Sequence, residues 1–318
     1  MASLNPCAKE LHLLYVLTDS NLPTGGFVSS SGLESFAKHG FLSSQYSYTS
    51  KEFKDGGVPG KKSMTGGLVD FARAEVSNYA STTGGFVKDG WTCVDDSRKA
   101  SKAGTGIIED EVQRVLQKIQ ALDKYHECTL LSHVGRRSSK AQGVAMLTLF
   151  SRGLSRPVGI DEYLNDDGGG PGSTDEMGVK IIEGYKKMVI LEKVPGHLAV
   201  CWGVITAALG LPVDRALHLH LFLHARSLLS SAVRLNIIGP YASSQLLLHP
   251  YRDIINQEVE KLSNCTTGII EDKAEKSGEE EDLWAWTEDA EKGPATTWPL
   301  GEVLMGRHDI QHSRIFNS

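Results

Sequence analysis

Two histidine pairs come nearest to chemistry in this chain of 318 residues. His220 and His224 stand four apart in a run rich in Leu, Phe, Ala and Val, and His308 and His312 stand four apart near the C-terminus. On a helix that spacing puts two imidazoles on one face, as a metal site needs. The same spacing also arises as a polar edge or as satisfied core histidines, and both readings stand for each pair. His220 also opens a longer pattern. His220, His224, Ser227, Ser231 and Arg234 follow one another at intervals of 4, 3, 4 and 3, a polar stripe one residue wide. A stripe of this kind needs water or polar partners. It is either a solvent-facing edge or the lining of a polar passage or subunit contact. A third cluster, Arg136-Arg137-Ser138-Ser139 followed by Gln142-Gly143, offers guanidinium groups suited to carboxylate or phosphate. It reads equally well as helix-surface charge.

Several catalytic signatures begin and break. In Gly56-Gly57-Val58-Pro59-Gly60-Lys61-Lys62-Ser63 the glycines are one residue too close for a phosphate loop, and no apolar strand precedes them. Gly104-Thr105-Gly106 is followed by Glu109, where a dinucleotide turn has glycine. His126-Glu127 is followed by Leu130, where a zinc protease has its second histidine. No Gly-x-Ser-x-Gly elbow occurs. The expectation is a protein without a catalytic centre and without a tightly bound cofactor.

The elements that position these residues read as helices. Near the start, Asn21-Leu22-Pro23-Thr24-Gly25-Gly26-Phe27 is a shaped turn. Pro23 presets φ and removes an amide donor, and Gly25 and Gly26 permit close backbone approach. Ser31 and Glu34 then have capping-box spacing, and Gly40 can end the short helix they start. Ile108, Val112, Val115, Ile119 and Leu122 are spaced 4, 3, 4 and 3, an amphipathic helix. Further helices are expected from near Cys7, over Gly67–Tyr79, over Asp123–Phe150 with a break near Gly135, and over Glu176–Leu191. His197–Gly210 is apolar nearly all round and is expected to be buried, with Ala199, Gly203 and Ala207 forming a flat ridge for a close neighbour. Pro212 opens the next helix, to about Asn236, and Tyr241–Leu262 reads as one more. No period-two run bounded by hairpin turns is present. The expected fold is all-α, a single helical-bundle domain of about eight to ten helices. Inserted loops are expected at 43–66, 88–106 and 264–297, with a Gly/Asp breaker at Asn165–Ser173 and a tail at 299–318.

Charge and cysteines narrow the class. The formal charge is −6, and ten acids against two lysines between Glu271 and Glu291 leave the rest near neutral, so no basic face for nucleic acid exists. Five cysteines with no CxxC suit a reducing, cytoplasmic compartment. No secretory leader is evident, and the longest apolar run, Leu198–Leu211, is too short to span a membrane.

Taken in order, these pieces resemble the UreF family of urease accessory proteins in its eukaryotic, fungal-like form. The resemblance rests on Leu22-Pro23-Thr24-Gly25-Gly26-Phe27 with Ser31-Gly32-Leu33-Glu34, and on Arg136-Arg137-Ser138 with Ala141-Gln142-Gly143. It rests also on Gly196-His197, on Ala232-Val233-Arg234-Leu235, and on the tail Arg307-His308-Asp309 with His312-Ser313-Arg314-Ile315-Phe316-Asn317-Ser318. The loops and the acidic insert depart from the family pattern, and Ile315 stands where the family commonly has Leu. The resemblance implies an all-α homodimer in complex with the accessory protein UreD (UreH in some organisms) and the GTPase UreG, delivering Ni²⁺ to apo-urease. The chain would be a non-enzymatic adaptor, a regulator of the GTPase, or part of a nickel passage. Partner contact is assigned by resemblance to Pro23, Thr24, Gly25, Gly26, Phe27, Ser31 and Glu34, to Arg136, Arg137 and Arg234, and to Arg307, His308, His312, Arg314 and Phe316. The tail, polar and poor in aliphatics, is expected to order only on binding. His220, His224, His308 and His312 are the candidate contacts for nickel in transit.

Overall fold

The structure, a computed structural model, describes residues 8–42, 63–101, 109–155, 176–270 and 293–317. The expected breaker at 165–173, most of the 43–66 loop and the acidic stretch 271–291 lie outside them. Among the described residues the fold is all-α: α1 (Ala8–Thr18), α2 (Leu33–Lys38), α3 (Met64–Ala100), α4 (Glu109–Thr129), α5 (His133–Leu149), α6 (Glu176–Ile190), α7 (Leu198–Ala208), α8 (Val213–Arg234), α9 (Pro240–Leu248), α10 (Pro250–Leu262) and α11 (Pro299–Gly306). A 3₁₀ turn at Gly26–Val28 precedes α2, and another at Arg307–Ile310 follows α11.

Helix α7 is the axis of the bundle. Ten of its eleven residues are buried, as a helix apolar on every face requires. It lies along α3 with its small-residue ridge inward. A Cβ on Gly203 would stand 2.2 Å from the Val87 carbonyl oxygen, and one on Gly143 of α5 would stand 2.1 Å from that of Gly196. Three backbones thus meet where only glycine fits. The start of α7 is set by Asp123, whose buried carboxylate accepts from the amides of Gly196 (2.7 Å) and His197 (2.9 Å). Val112, Val115, Ile119 and Leu122 of α4 are buried, as their spacing predicts, with Ile181, Ile182 and Tyr185 of α6 in the same core.

Four expectations are corrected. The loop expected over 88–106 is helical as far as Ala100: α3 runs 37 residues, begun by the Ser63 hydroxyl accepting from the Gly66 amide. Its polar residues are taken up by other segments, with Lys88 bonded to the Ser263 carbonyl, Asp89 to the Thr267 amide and Trp91 to the Leu211 carbonyl. The break between α4 and α5 falls at Leu130–Ser132 rather than at Gly135, because Ser132 is the cap and Gly135 supplies the amide it accepts from. Tyr241–Leu262 is two helices, not one. Pro250 has no amide to give and its ring opposes the preceding turn, so the chain bends at His249 (φ −110°, ψ −86°) and eleven α-helices result where eight to ten were expected.

The fourth correction concerns Ser31 and Glu34. They form no capping box. Ser31 (φ 48°) and Gly32 (φ 81°) are both left-handed, and Gly32 is the cap residue of α2. The Glu34 amide approaches the Ser30 hydroxyl at 3.5 Å, and its carboxylate is committed elsewhere. Gly40, at φ 78°, ends α2 as expected.

Candidate functional site

The polar stripe of α8 faces inward. His220, His224, Ser227 and Arg234 line a cavity of about 650 Å³ whose other walls come from α3, α5 and the turn Pro23–Phe27. That volume lies in the range of small-ligand pockets. Ser231 is buried beside it, donating to the Ser29 carbonyl at 3.3 Å.

At the cavity floor the imidazoles stack on one phenol. The Tyr79 ring lies 3.7 Å from that of His224, nearly parallel, and 5.0 Å from that of His220. The Thr83 hydroxyl spends its single proton on the Tyr79 carbonyl, so His220 Nε2, 3.2 Å away, carries the hydrogen and donates. His224 Nε2 is 3.5 Å from Glu75 Oε1. Burial pushes both histidines down to about 3. It pushes the Glu75 carboxyl well up, with the nearby charge of Glu302 adding to the effect. Burial also holds His126 well below its ordinary value. Near neutrality the three imidazoles are uncharged, and burial favours the neutral form of Glu75. Glu75 Oε2, His126 Nε2 and His224 Nε2 have no hydrogen-bond partner.

This lining is suited to contact rather than capture. Among the described residues no three His, Cys, Asp or Glu side chains gather as a metal site. His220 and His224 therefore share a face but make no closed coordination shell of the kind a resident metal takes. The pair His308 and His312 does not share a face at all. His308 is buried in the 3₁₀ turn, the helix ends before the extended Gln311, and His312 is exposed. Ser139, His197 and Glu127 form a hydroxyl–imidazole–carboxylate row at 3.1 and 2.7 Å. His197 is fully buried and the Ser139 oxygen accepts from the Leu198 amide, so the row ties α4 and α5 to the start of α7.

The assigned contact residues gather beside the cavity. The Glu34 carboxylate, wholly buried, accepts from the amides of Ile315 (2.9 Å) and Phe316 (3.2 Å) and pairs with Lys38 at 3.0 Å. Burial alone would raise its pKa, but those two amides and Lys38 outweigh it and the net direction is down. The tail covers it. Arg137 grips Asp309 with two bonds of 2.9 Å and donates to the Asn317 carbonyl at 3.0 Å. His133 and Arg314 close on the same carboxylate at 3.1 and 3.2 Å, and the Arg137 bonds above all hold Asp309 far below the usual range. Arg234 lies 3.6 Å over the Phe27 ring and 5.2 Å from that of Phe316. The tail is thus docked on its own chain, whereas it was expected to be free.

Pro23, Gly25 and Phe27 are exposed, and Thr24, Gly26 and Ser31 half-buried, along the cavity rim. Arg136 stands apart, 3.9 Å from Glu127, and Arg307 and His312 are exposed. Glu75 and Asp309 were not anticipated. Glu75 had a signal, since an acid three residues after Ala72 and four before Tyr79 lies on an otherwise apolar helix face. Asp309 has only its place in the quoted tail.

Residues 65–251 match the family described as UreF. The chain is 96% identical to "Urease accessory protein 6" of Cryptococcus neoformans var. grubii over the full length of both. It is 25% identical over 309 residues to an uncharacterized urease accessory protein UreF-like of Schizosaccharomyces pombe, covering 97% of each. It is 22% identical to "Urease accessory protein F" of Oryza sativa subsp. indica, covering 94% of this chain and 82% of that protein. With the family matched over more than half the chain, and a near-identical relative over all of it, this protein belongs to the UreF family of urease accessory proteins.

Proposed function

We propose that this urease accessory protein is the adaptor of a nickel-delivery assembly. It joins a UreD-type (UreH-type) protein and the GTPase UreG on apo-urease, works as a homodimer within that complex, and has Ni²⁺ as cargo rather than as resident cofactor. The observation that carries the reading is the single surface formed by the Pro23–Phe27 turn and the tail, beside a polar cavity of about 650 Å³. Neutral imidazoles are fit ligands for a borderline cation. A lining with too few groups to close a shell favours passing that cation on. No helix among the described residues is long and apolar enough to cross a membrane, and the expected site of action is the cytoplasm.

Two measurements test this. In a host lacking its own UreF the chain is expected to restore urease activity, and failure of a well-expressed, folded chain rejects the reading. Deleting Ile310–Ser318 is expected to abolish the complex with UreD and UreG while leaving far-UV helicity unchanged. A complex of undiminished yield would show that the tail is not a contact.

A second reading, activation of the GTPase by an arginine in trans, is favoured at one residue. Arg137 is held by Asp309, whereas Arg136 is half-exposed with its nearest carboxylate at 3.9 Å. Arg136→Ala is expected to slow single-turnover GTP hydrolysis by the partner at least tenfold relative to the wild-type complex. A rate that the wild-type chain itself does not raise excludes activation.

A further inference from the structure

The last residues are held in an unusual way for a piece of the fold. From Gln311 to Asn317 the chain forms no helix or strand. The body grips its main chain through side chains. Glu34 takes the amides of Ile315 and Phe316, His308 Nε2 donates to the Phe316 carbonyl at 3.0 Å, Lys38 to that of Ser313, and Arg137 to that of Asn317. Phe316 is 3% exposed, and the side-chain amide of Gln311 is buried without a hydrogen-bond partner, while Ile315 is 62% exposed. Main-chain hydrogen bonds combined with pocketed side chains are how a groove recognises a peptide. Arg234 connects this groove to the cavity. Its guanidinium faces the Phe316 ring on the tail and the Phe27 ring on the turn, and it donates to the Phe27 carbonyl.

We propose that the tail is a detachable peptide ligand carried by the chain itself. The groove built by Glu34, Lys38, Arg137, Arg234 and His308 is a binding site for a short non-helical segment bearing an aromatic side chain. Its occupation fixes the Phe27 turn at the cavity mouth. The two ionised anchors, Glu34 and Arg137, read backbone atoms and Asp309. The aromatic position supplies the selectivity, because Phe316 is the apolar side chain of this stretch that enters the body. Vacating the groove leaves Arg234 with one ring instead of two, and the turn loses part of what holds it. The proposal depends neither on nickel nor on the identity of any partner.

The test uses full-length chains and a fluorescein-labelled synthetic peptide of residues 311–318. The Phe316→Ala chain, whose own tail cannot anchor, is expected to bind the peptide at least tenfold more tightly than the wild-type chain, whose groove is filled. Adding Glu34→Gln, which keeps one acceptor oxygen and sets an amide N–H₂ against the other of the two tail amides, is expected to weaken that binding at least tenfold. A Phe316→Ala peptide is expected not to compete. Hydrogen exchange over residues 23–31 is expected to quicken in the Phe316→Ala chain and to slow again when the peptide is added. A Phe316→Ala chain of wild-type helicity that binds the peptide no better than wild type, or whose turn exchanges at the wild-type rate, overturns the proposal. Should that variant fail to fold, the wild-type chain decides alone. The amides of Ile315 and Phe316 are expected to exchange at least a hundredfold faster than those of α7. Exchange as slow as α7 overturns detachment.

Discussion

A Gly203→Leu chain is expected not to hold its fold. The position has no room for even the first side-chain carbon. A Cβ there would lie 2.2 Å from the Val87 carbonyl oxygen and 2.9 Å from the Trp91 amide nitrogen, both main-chain atoms of α3. A flexible side chain could swing aside, but a helical carbonyl moves only if its helix does. Relief therefore requires α3 and α7 to separate along the seam that buries Ala199, Val200, Val204 and Ala207. Overpacking with adjustable neighbours costs about 1–3 kcal/mol. Parting two main chains and opening the seam costs more than about 4 kcal/mol, in the exceptional tail of single substitutions, against a total of about 5–15 kcal/mol. The measurement is the urea midpoint, or soluble yield where the chain does not survive purification. Gly306→Ala is the control, since nothing lies within 4 Å of its Cβ direction and its φ is −61°. It is expected within about 1 kcal/mol of wild type. A Gly203→Leu chain with the wild-type midpoint would mean that α3 and α7 do not meet there.

The same seam marks how far the sequence could be read. The all-α class, the amphipathic α4 and the buried α7 follow from periodicity, and the small-residue ridge was visible because glycine and alanine recur every fourth position. The C-terminal half of α3 was not legible, for a related reason. Gly84, Gly85 and Gly90 count locally as breakers. In the fold each is where another segment presses on the helix: Leu262 at 2.4 Å from the Cβ position, Thr266 at 3.3 Å and the Val200 carbonyl at 3.3 Å. A local rule assigns a glycine its intrinsic cost and cannot see the neighbour that requires it. Glu34 shows the same limit at the site. Its spacing from Ser31 was correct for a cap, but its oxygens are used 281 and 282 residues away. The α8 stripe was legible as a polar line. Its neutrality was not, because that follows from burial against other helices, Tyr79 of α3 among them.

That neutrality has a measurable consequence: the fold is expected to lose stability as the solution is acidified from about pH 6.5 toward 4.5. His220 and His224 are buried uncharged, held down to about 3 by burial, and His126 is lowered in the same way. In the unfolded chain each returns to about 6.5 and takes up a proton below that value. Burial also lowers His197 and His218. Unfolding in this window therefore binds protons through the lowered imidazoles, and stability falls with pH wherever the unfolded state binds more of them. Two carboxyl groups act in the opposite sense. Burial raises the carboxyl groups of Glu75 and Asp123, which favours proton release on unfolding. The lowered imidazoles outnumber them five to two, so the net change on unfolding is proton uptake. Each net proton corresponds to roughly 1.4 kcal/mol lost per pH unit. His224→Phe keeps a flat ring against Tyr79, 3.7 Å away in the wild type, and removes one titrating nitrogen pair. Its slope is expected to be shallower than the wild-type slope by about one proton. Urea midpoints between pH 7 and 4.5 for the two chains decide the matter. A wild-type midpoint that rises on acidification, or a His224→Phe slope as steep as the wild-type one, would place the imidazoles in water rather than in the neutral lining of the cavity.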